Sequence, residues 1–136
     1  MSTSSTYNYI RLYTDDKGET HFGEGKITLK GESFMGGPPV LIAELALANG
    51  AKPQLAHIPA GSSYDWHNTV ARQFILVVQG NVDFVASDGT VREVSPGSLI
   101  LFEDLTGKGH RTRAKGPDDH IALIVPLEQH PSTSSG

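Results

Sequence analysis

Six histidines and no cysteine are spread through 136 residues, and two of the histidines have neighbours with which they could do chemistry. His67 stands in "SYDWHNTVARQ", with Asp65 two positions before it, Thr69 two after and Gln73 six after. Residues i and i+2 of a strand share a face, so Asp65 and His67 are expected to point together into the fold, as are His67 and Thr69. Gln73 opens the apolar run "QFILVV", and His110 follows "GKG" at the start of "HRTRA". Three or four N and O side chains delivered by three strands would suit a divalent metal. The same groups would equally line a pocket for an organic ligand. The spacing matches no compact zinc motif.

Each of these residues also has a plainer use. Gln73 could satisfy backbone groups at the end of a barrel, and Asp65 could be a turn residue accepting backbone N–H bonds. Trp66 alternates with the inward pair and is expected to pack on the outer face. His21, beside Phe22, reads as surface. His57, flanked by Ala56 and Ile58, reads as a half-buried strand residue that would line the pocket if it faced inward. His120 follows "GPDD" and His130 lies near the end, so neither is a candidate. "GEG" and "GKG" lack the strand, the helix and the Lys-Ser/Thr of a phosphate loop. Ser62 and Ser63 have no triad context.

The elements that must position these groups are short. "YIRLYT" and "ETHF" flank the turn "DDKG" and predict a hairpin. "GKITL" predicts a further strand, and "GESFMGGPP" a loop. "VLIAELALANG" suits either a helix or a strand. From Lys52 onward, apolar segments recur about every ten residues: "QLAHI", "SYDWH", "QFILVV", "VDFVA", "TVREV", "SLILFE", "GHRTRA" and "HIALIVPL". Each is bounded by turn residues, a pattern that predicts a β-sandwich or small barrel. Pro96-Gly97 launches Ser98 to Glu103, which is apolar on both faces until Glu103 and Asp104. Those two acids are expected at the rim, where a pocket would open.

Composition fits one globular domain: 38% hydrophobic and 19% charged residues, with 15 Gly and 8 Pro marking frequent turns. A net charge of −4 gives no electrostatic footprint for nucleic acid. The short basic cluster Lys108 to Lys115 is explained by alternating side chains on a strand as well as by an anion site. Lack of cysteine excludes disulfides, thiolate zinc sites and thiol nucleophiles. With neither a signal peptide nor a membrane span in the sequence, the cytoplasm is the expected location. Residues 1–8 and 128–136 are Ser/Thr-rich in part and are expected to be flexible tails around a single domain, 9–127.

Gly61, five residues, His67, then Gln73, six residues and Gly80 resemble the first signature of the cupin superfamily. That signature has a Gly, an H-x-H pair and a Glu six residues before a Gly. "VSPGSLILFEDLTGKGH" is similar to the second signature, with its P-x-G-type turn and single His. "RLYTDDKGETHF", "DWHN…RQFILVVQG" and "EDLTGKGHRTR" together resemble small single-domain cupins of poorly defined activity. The resemblance covers residues 9–127 and implies an all-β, cupin-type double-stranded β-helix, a jelly roll. Two alignments are open. Asp65 stands in place of the first His, with a loop one residue longer, or His67 is the first His and Thr69 replaces the second. The first is preferred because Trp between the ligand positions is common in cupins. Both put Gln73 where the family has Glu.

The resemblance implies a small-molecule enzyme acting in the barrel pocket, of dioxygenase, isomerase or lyase/cyclase type. Asp65, His67, Gln73 and His110 would hold one divalent metal: Fe, Mn, Ni or Zn. Without a metal, His67 and His110 with Asp104 or Glu103 would act as acid and base. Tyr64, Arg72, Gln73 and His57 would meet the substrate, and Arg72 or Arg111 would receive a carboxylate. A non-catalytic module binding a small ligand is the alternative. A homodimer is expected, formed across the hairpin Ile10 to Phe22.

Overall fold

A computed structural model describes residues 3–31, 36–38 and 40–129. Ten strands make up the regular structure: β1 (Thr3–Thr14), β2 (Thr20–Gly31), β3 (Gln54–Ile58), β4 (Ser63–His67), β5 (Gln73–Gln79), β6 (Val82–Ala86), β7 (Val91–Val94), β8 (Leu99–Phe102), β9 (His110–Ala114) and β10 (His120–Pro126). Among the described residues no helix is long and apolar enough to cross a membrane. The sheets run β2-β1-β8-β5-β10-β3 and β4-β9-β6-β7.

From β3 onward the pairing is nested and antiparallel. β6 pairs with β7, β5 with β8, β4 with β9 and β10 with β3, so the chain folds as one long hairpin rolled into two four-stranded layers. That nesting is the signature of a jelly roll. At its innermost turn Asp88 Oδ1 accepts the Thr90 N–H and Ala86 N donates to Thr90 O, the use for which "SDG" is suited.

Alternation fills the space between the layers. Leu12, Val77, Val82, Phe84, Ala86, Val94, Ile100 and Phe102 form the main core. Each large side chain buried there contributes about 1.5–3 kcal/mol. β8 is apolar on both faces because a second cluster, Phe74, Leu101 and Leu127, packs on the outer side of the larger sheet. Residues 40–48 cross that side as an irregular strap rather than a helix or strand. It is stitched to the sheet by the bridges Lys30↔Ile42 and Leu47↔Leu127.

The N-terminal expectation needs correction. Residues 3–8 are the first half of β1, paired in register from Thr3↔Gly31 to Asn8↔Lys26, and "GKITL" is the continuation of β2. This hairpin of two twelve-residue strands joins the larger sheet through β1, parallel to β8. Its turn is held by Asp15 Oδ1, which accepts the N–H groups of Lys17 and Glu19. Residues 128 and 129 follow the last strand; His130 lies outside the described residues.

Candidate functional site

The pocket lies between the two sheets beside the edge strands β3 and β4, and one irregularity sets its contents. Tyr64 pairs with Thr112 and His67 with His110, so three steps along β4 match two along β9. The extra residue is a β-bulge. It brings Tyr64 and His67 onto the same inner wall despite their odd spacing. Asp65 and Trp66 are left outside. The Asp65 side chain is 85% exposed and lies 3.6 Å from Arg111, whose guanidinium sits over the Trp66 ring at 5.6 Å. The shared face expected for Asp65 and His67 is therefore absent. Thr69, from the second alignment, is the residue that turns inward: it is buried and lines the pocket.

Gly109 makes the approach of β9 to β4 possible. Its φ is +75°, and a Cβ there would collide with the backbone of His67. Only glycine fits without displacing a strand. As a result the His67 and His110 rings sit 4.4 Å apart, centroid to centroid. His110 is buried, with Phe102 beside it at 5.2 Å.

Both imidazoles are oriented through Nδ1. His67 Nδ1–H donates to the Asp65 carbonyl at 2.7 Å. His110 Nδ1–H donates to Asp104 Oδ2 at 2.6 Å. Asp104 is fully buried, and its other oxygen accepts from Thr69 Oγ1 at 2.6 Å. Its backbone carbonyl accepts from the Thr69 N–H at 3.2 Å and from Asn68 Nδ2 at 3.3 Å. The loop 68–72 and the segment before β9 are thus tied together through one carboxylate. In each ring Nε2 is the nitrogen left to serve a bound molecule.

The cavity has a volume of about 310 Å³, at the small end for an organic ligand. His67, Gln73 and His110 stand toward one end, with Val70 exposed at the rim. Ala56, Ile75, Phe84, Ala122 and Ile124 make the walls apolar. His120 lines the pocket beside Ile58, its register partner, and is 3% exposed. Its preceding "GPDD" had set it aside as a candidate. The signal that could have found it is the alternation of "HIALI", which puts His120, Ala122 and Ile124 on one face.

The donor set does not suit a dication. Facing the pocket are three imidazoles, of which His120 stands toward the far end, the Gln73 and Asn68 amides and the Tyr64, Thr69 and Thr112 hydroxyls, with no carboxylate among them. Asp65 faces solvent, and Asp104 is committed to His110 and Thr69. Among the described residues no three His, Cys, Asp or Glu side chains converge as a metal-holding group.

Three other expected site residues are elsewhere. Glu103 follows the outward parity of Leu101 and bridges Arg11 at 2.8 Å and Arg72 at 3.0 Å on the outer side of the sheet. Arg72 is occupied there and also donates to the Glu128 carbonyl, so neither Arg72 nor Glu103 reaches the cavity. His57 is the outward residue between Ala56 and Ile58, with Nε2 2.8 Å from Asp119 Oδ2. His21 is clamped between Asp15 and Asp88 at 2.7 and 2.8 Å, remote from the pocket.

No family model and no curated protein matches the chain. Solved structures do. The DMSP lyase DddQ from Ruegeria pomeroyi is 24% identical over 74% of this chain and 46% of that one, with a TM-score of 0.49. A cupin-2 domain protein from Shewanella frigidimarina is 16% identical over 56% and 69%, TM-score 0.45. An RmlC-like cupin from Desulfovibrio desulfuricans is 16% identical over 88% and 83%, TM-score 0.39. The nested strand pairs already fix the architecture. The fold is a jelly roll with an added N-terminal hairpin. The chain spans less than half the length of the lyase, and fold alone assigns no activity.

Proposed function

We propose that this cupin-type pocket binds a small, largely apolar molecule and moves a proton on it, with His110 as the acid–base group and Asp104 as the residue that orients it. The supporting observation is the buried Asp104–His110 pair at 2.6 Å, whose imidazole borders an apolar cavity. A neutral His110 would take a proton at Nε2 from a carbon acidified by an adjacent carbonyl. Asp104 would stabilise the resulting imidazolium. Return of that proton to a different atom is an isomerisation; expulsion of a neighbouring leaving group is a lyase step. The Gln73 amide and the Thr112 hydroxyl also line the cavity and could meet the substrate's polar end. Of the two mechanisms that the cupin resemblance implies, metal-assisted and metal-free, a lining without a carboxylate or a converging ligand group among the described residues favours the second.

Cytoplasmic location and a homodimer belong to the same reading. Support for pairing comes from apolar side chains left exposed, Leu55 at 71% and Val78 at 51%.

The test needs no knowledge of the natural substrate. The protein is incubated in D₂O with small ketones such as 2-hexanone, and deuterium entering the α-carbon is followed by NMR. Exchange above buffer that disappears in His110→Gln supports the reading. Ketone binding in the cavity without accelerated exchange would instead make the protein a carrier.

A further inference from the structure

On the outer side of the larger sheet two arginines share one carboxylate. β8 lies between β1 and β5, so Glu103, just past β8, stands between Arg11 of β1 and Arg72, just before β5. Arg11 Nε donates to Glu103 Oε1 at 2.9 Å, and Arg11 Nη2 lies 2.8 Å from the same oxygen. Arg72 Nε donates to Glu103 Oε2 at 3.0 Å, and Arg72 Nη1 donates to the Glu128 carbonyl at 3.3 Å. Both carboxylate oxygens are therefore taken. Among the described residues Arg11 Nη1 and Arg72 Nη2 have no acceptor. One arginine would neutralise Glu103; the second leaves a positive charge in excess.

That excess borders a cleft of about 210 Å³, lined by Arg11, Arg72 and Glu103 together with Tyr13, Leu105 and Gln129. No other charged side chain lines it among the described residues, and Glu128 belongs to a different cleft. The Glu103 side chain is 11% exposed, against 33% for Arg11 and 20% for Arg72, so an entering molecule meets guanidinium before carboxylate. The Arg11 guanidinium is held over the Tyr13 ring, 4.8 Å from its centroid. A concavity with positive charge and low-dielectric walls concentrates anions. The planar guanidinium fork suits a carboxylate. Parity separates this site from the cavity: Arg72 and Glu103 point outward, whereas Gln73 and Asp104, the residues that follow them, serve the inner face.

We propose that this cleft is a second ligand site, for a small monocarboxylate with an apolar or aromatic body. Its carboxylate accepts from Arg11 Nη1 and Arg72 Nη2, and its body lies against Tyr13 and Leu105. A single negative charge on the ligand matches the single positive charge that Glu103 leaves uncompensated. The site is independent of the proton-transfer reading of the cavity.

Benzoate and benzamide have nearly the same shape and differ in charge. Each is titrated into the ¹⁵N-labelled protein in low-salt Tris, and the arginine Nε–H and histidine ring resonances are followed by NMR. Benzoate is expected to bind about tenfold more tightly, the worth of one charge-assisted hydrogen bond. It should shift the Arg11 and Arg72 Nε–H signals and leave the His67 and His110 rings unmoved. Arg11→Gln should remove the preference. Glu103→Gln takes away the competing negative charge and should widen the preference several-fold, a gain that a clasp serving only to join strands does not predict. Benzoate binding no tighter than benzamide, a preference that survives Arg11→Gln or fails to grow in Glu103→Gln, or shifts confined to the cavity histidines would each overturn the proposal. Should Arg11→Gln not fold, Glu103→Gln and the wild-type Nε–H shifts decide.

Discussion

Asp104→Ala is the substitution that most severely tests how the pocket is held together. The carboxylate is fully buried and accepts two short hydrogen bonds, from His110 Nδ1–H and Thr69 Oγ1–H, both at 2.6 Å. Truncation leaves two buried donors without an acceptor, each costing about 1–3 kcal/mol. Relief from burying a charge offsets part of that loss. The net expectation is a loss of about 3 kcal/mol, a large share of the roughly 5–15 kcal/mol that stabilises a domain. At this chain length it corresponds to a fall in midpoint on the order of 10 °C. Asp104→Asn keeps one acceptor oxygen in nearly the same place, so it should cost only about 1–2 kcal/mol. Urea unfolding of the three proteins measures these differences, and the His110 Nδ1–H resonance reports whether the bond persists. If alanine and asparagine cost the same, or if alanine costs under about 0.5 kcal/mol, the two-donor account of Asp104 is refuted.

Three more outcomes follow from the same geometry. Gly109→Ala forces a left-handed residue into the His67 backbone and should destabilise by more than about 2 kcal/mol, and the NOE between the His67 and His110 rings should vanish as β9 moves away from β4. An NOE of undiminished strength would contradict the role given to Gly109. Glu103→Gln removes the charge shared by Arg11 and Arg72 and should cost roughly 1–2 kcal/mol, with ketone binding in the pocket unaltered; weakened binding would return Arg72 to the site. His21 and its carboxylates predict a pH response. Hydrogen bonds donated to Asp15, then to Asp88, hold the His21 pKa above its ordinary 6.5. Its contribution is therefore complete below pH 6.5 and is lost as pH rises through the elevated value. Asp15, lowered to about 2 chiefly by the same hydrogen bond, contributes above pH 3.8 and loses that contribution as pH falls toward 2. The thermal midpoint of the wild type should decline between pH 6.5 and 8 relative to His21→Asn. Parallel curves would show that the clamp does not stabilise the fold.

The sandwich was legible because turn residues punctuate the chain wherever an apolar run ends, and the nested pairs follow from that order. The site was legible only in part. Gln73 and His110 open β5 and β9 and His67 closes β4, whereas Asp104, expected at the rim with Glu103, is fully buried behind His110. Asp65 falls outside because strict alternation fails across "SYDWH", and a bulge leaves no mark in residue types. Parity along "LILFE" would have sent Glu103 outward with Leu99 and Leu101, but a strand apolar on both faces hides which face is which. Residues 3–8 read as a tail from their Ser and Thr content. Pairing with β2 makes them a strand, a decision taken by the partner rather than by local propensity.

The most direct test of the central claim is a metal count. Protein purified without an affinity tag or chelator is incubated in turn with Fe(II), Mn(II), Ni(II) and Zn(II), passed through a desalting column and analysed for retained metal. Because no carboxylate lines the pocket and no three ligand-type side chains converge there among the described residues, the wild type should retain well under one equivalent of each, the same as the His67→Ala, His110→Ala double variant. One equivalent held by the wild type and absent from the double variant would contradict the acid–base account and assign both histidines to a metal centre.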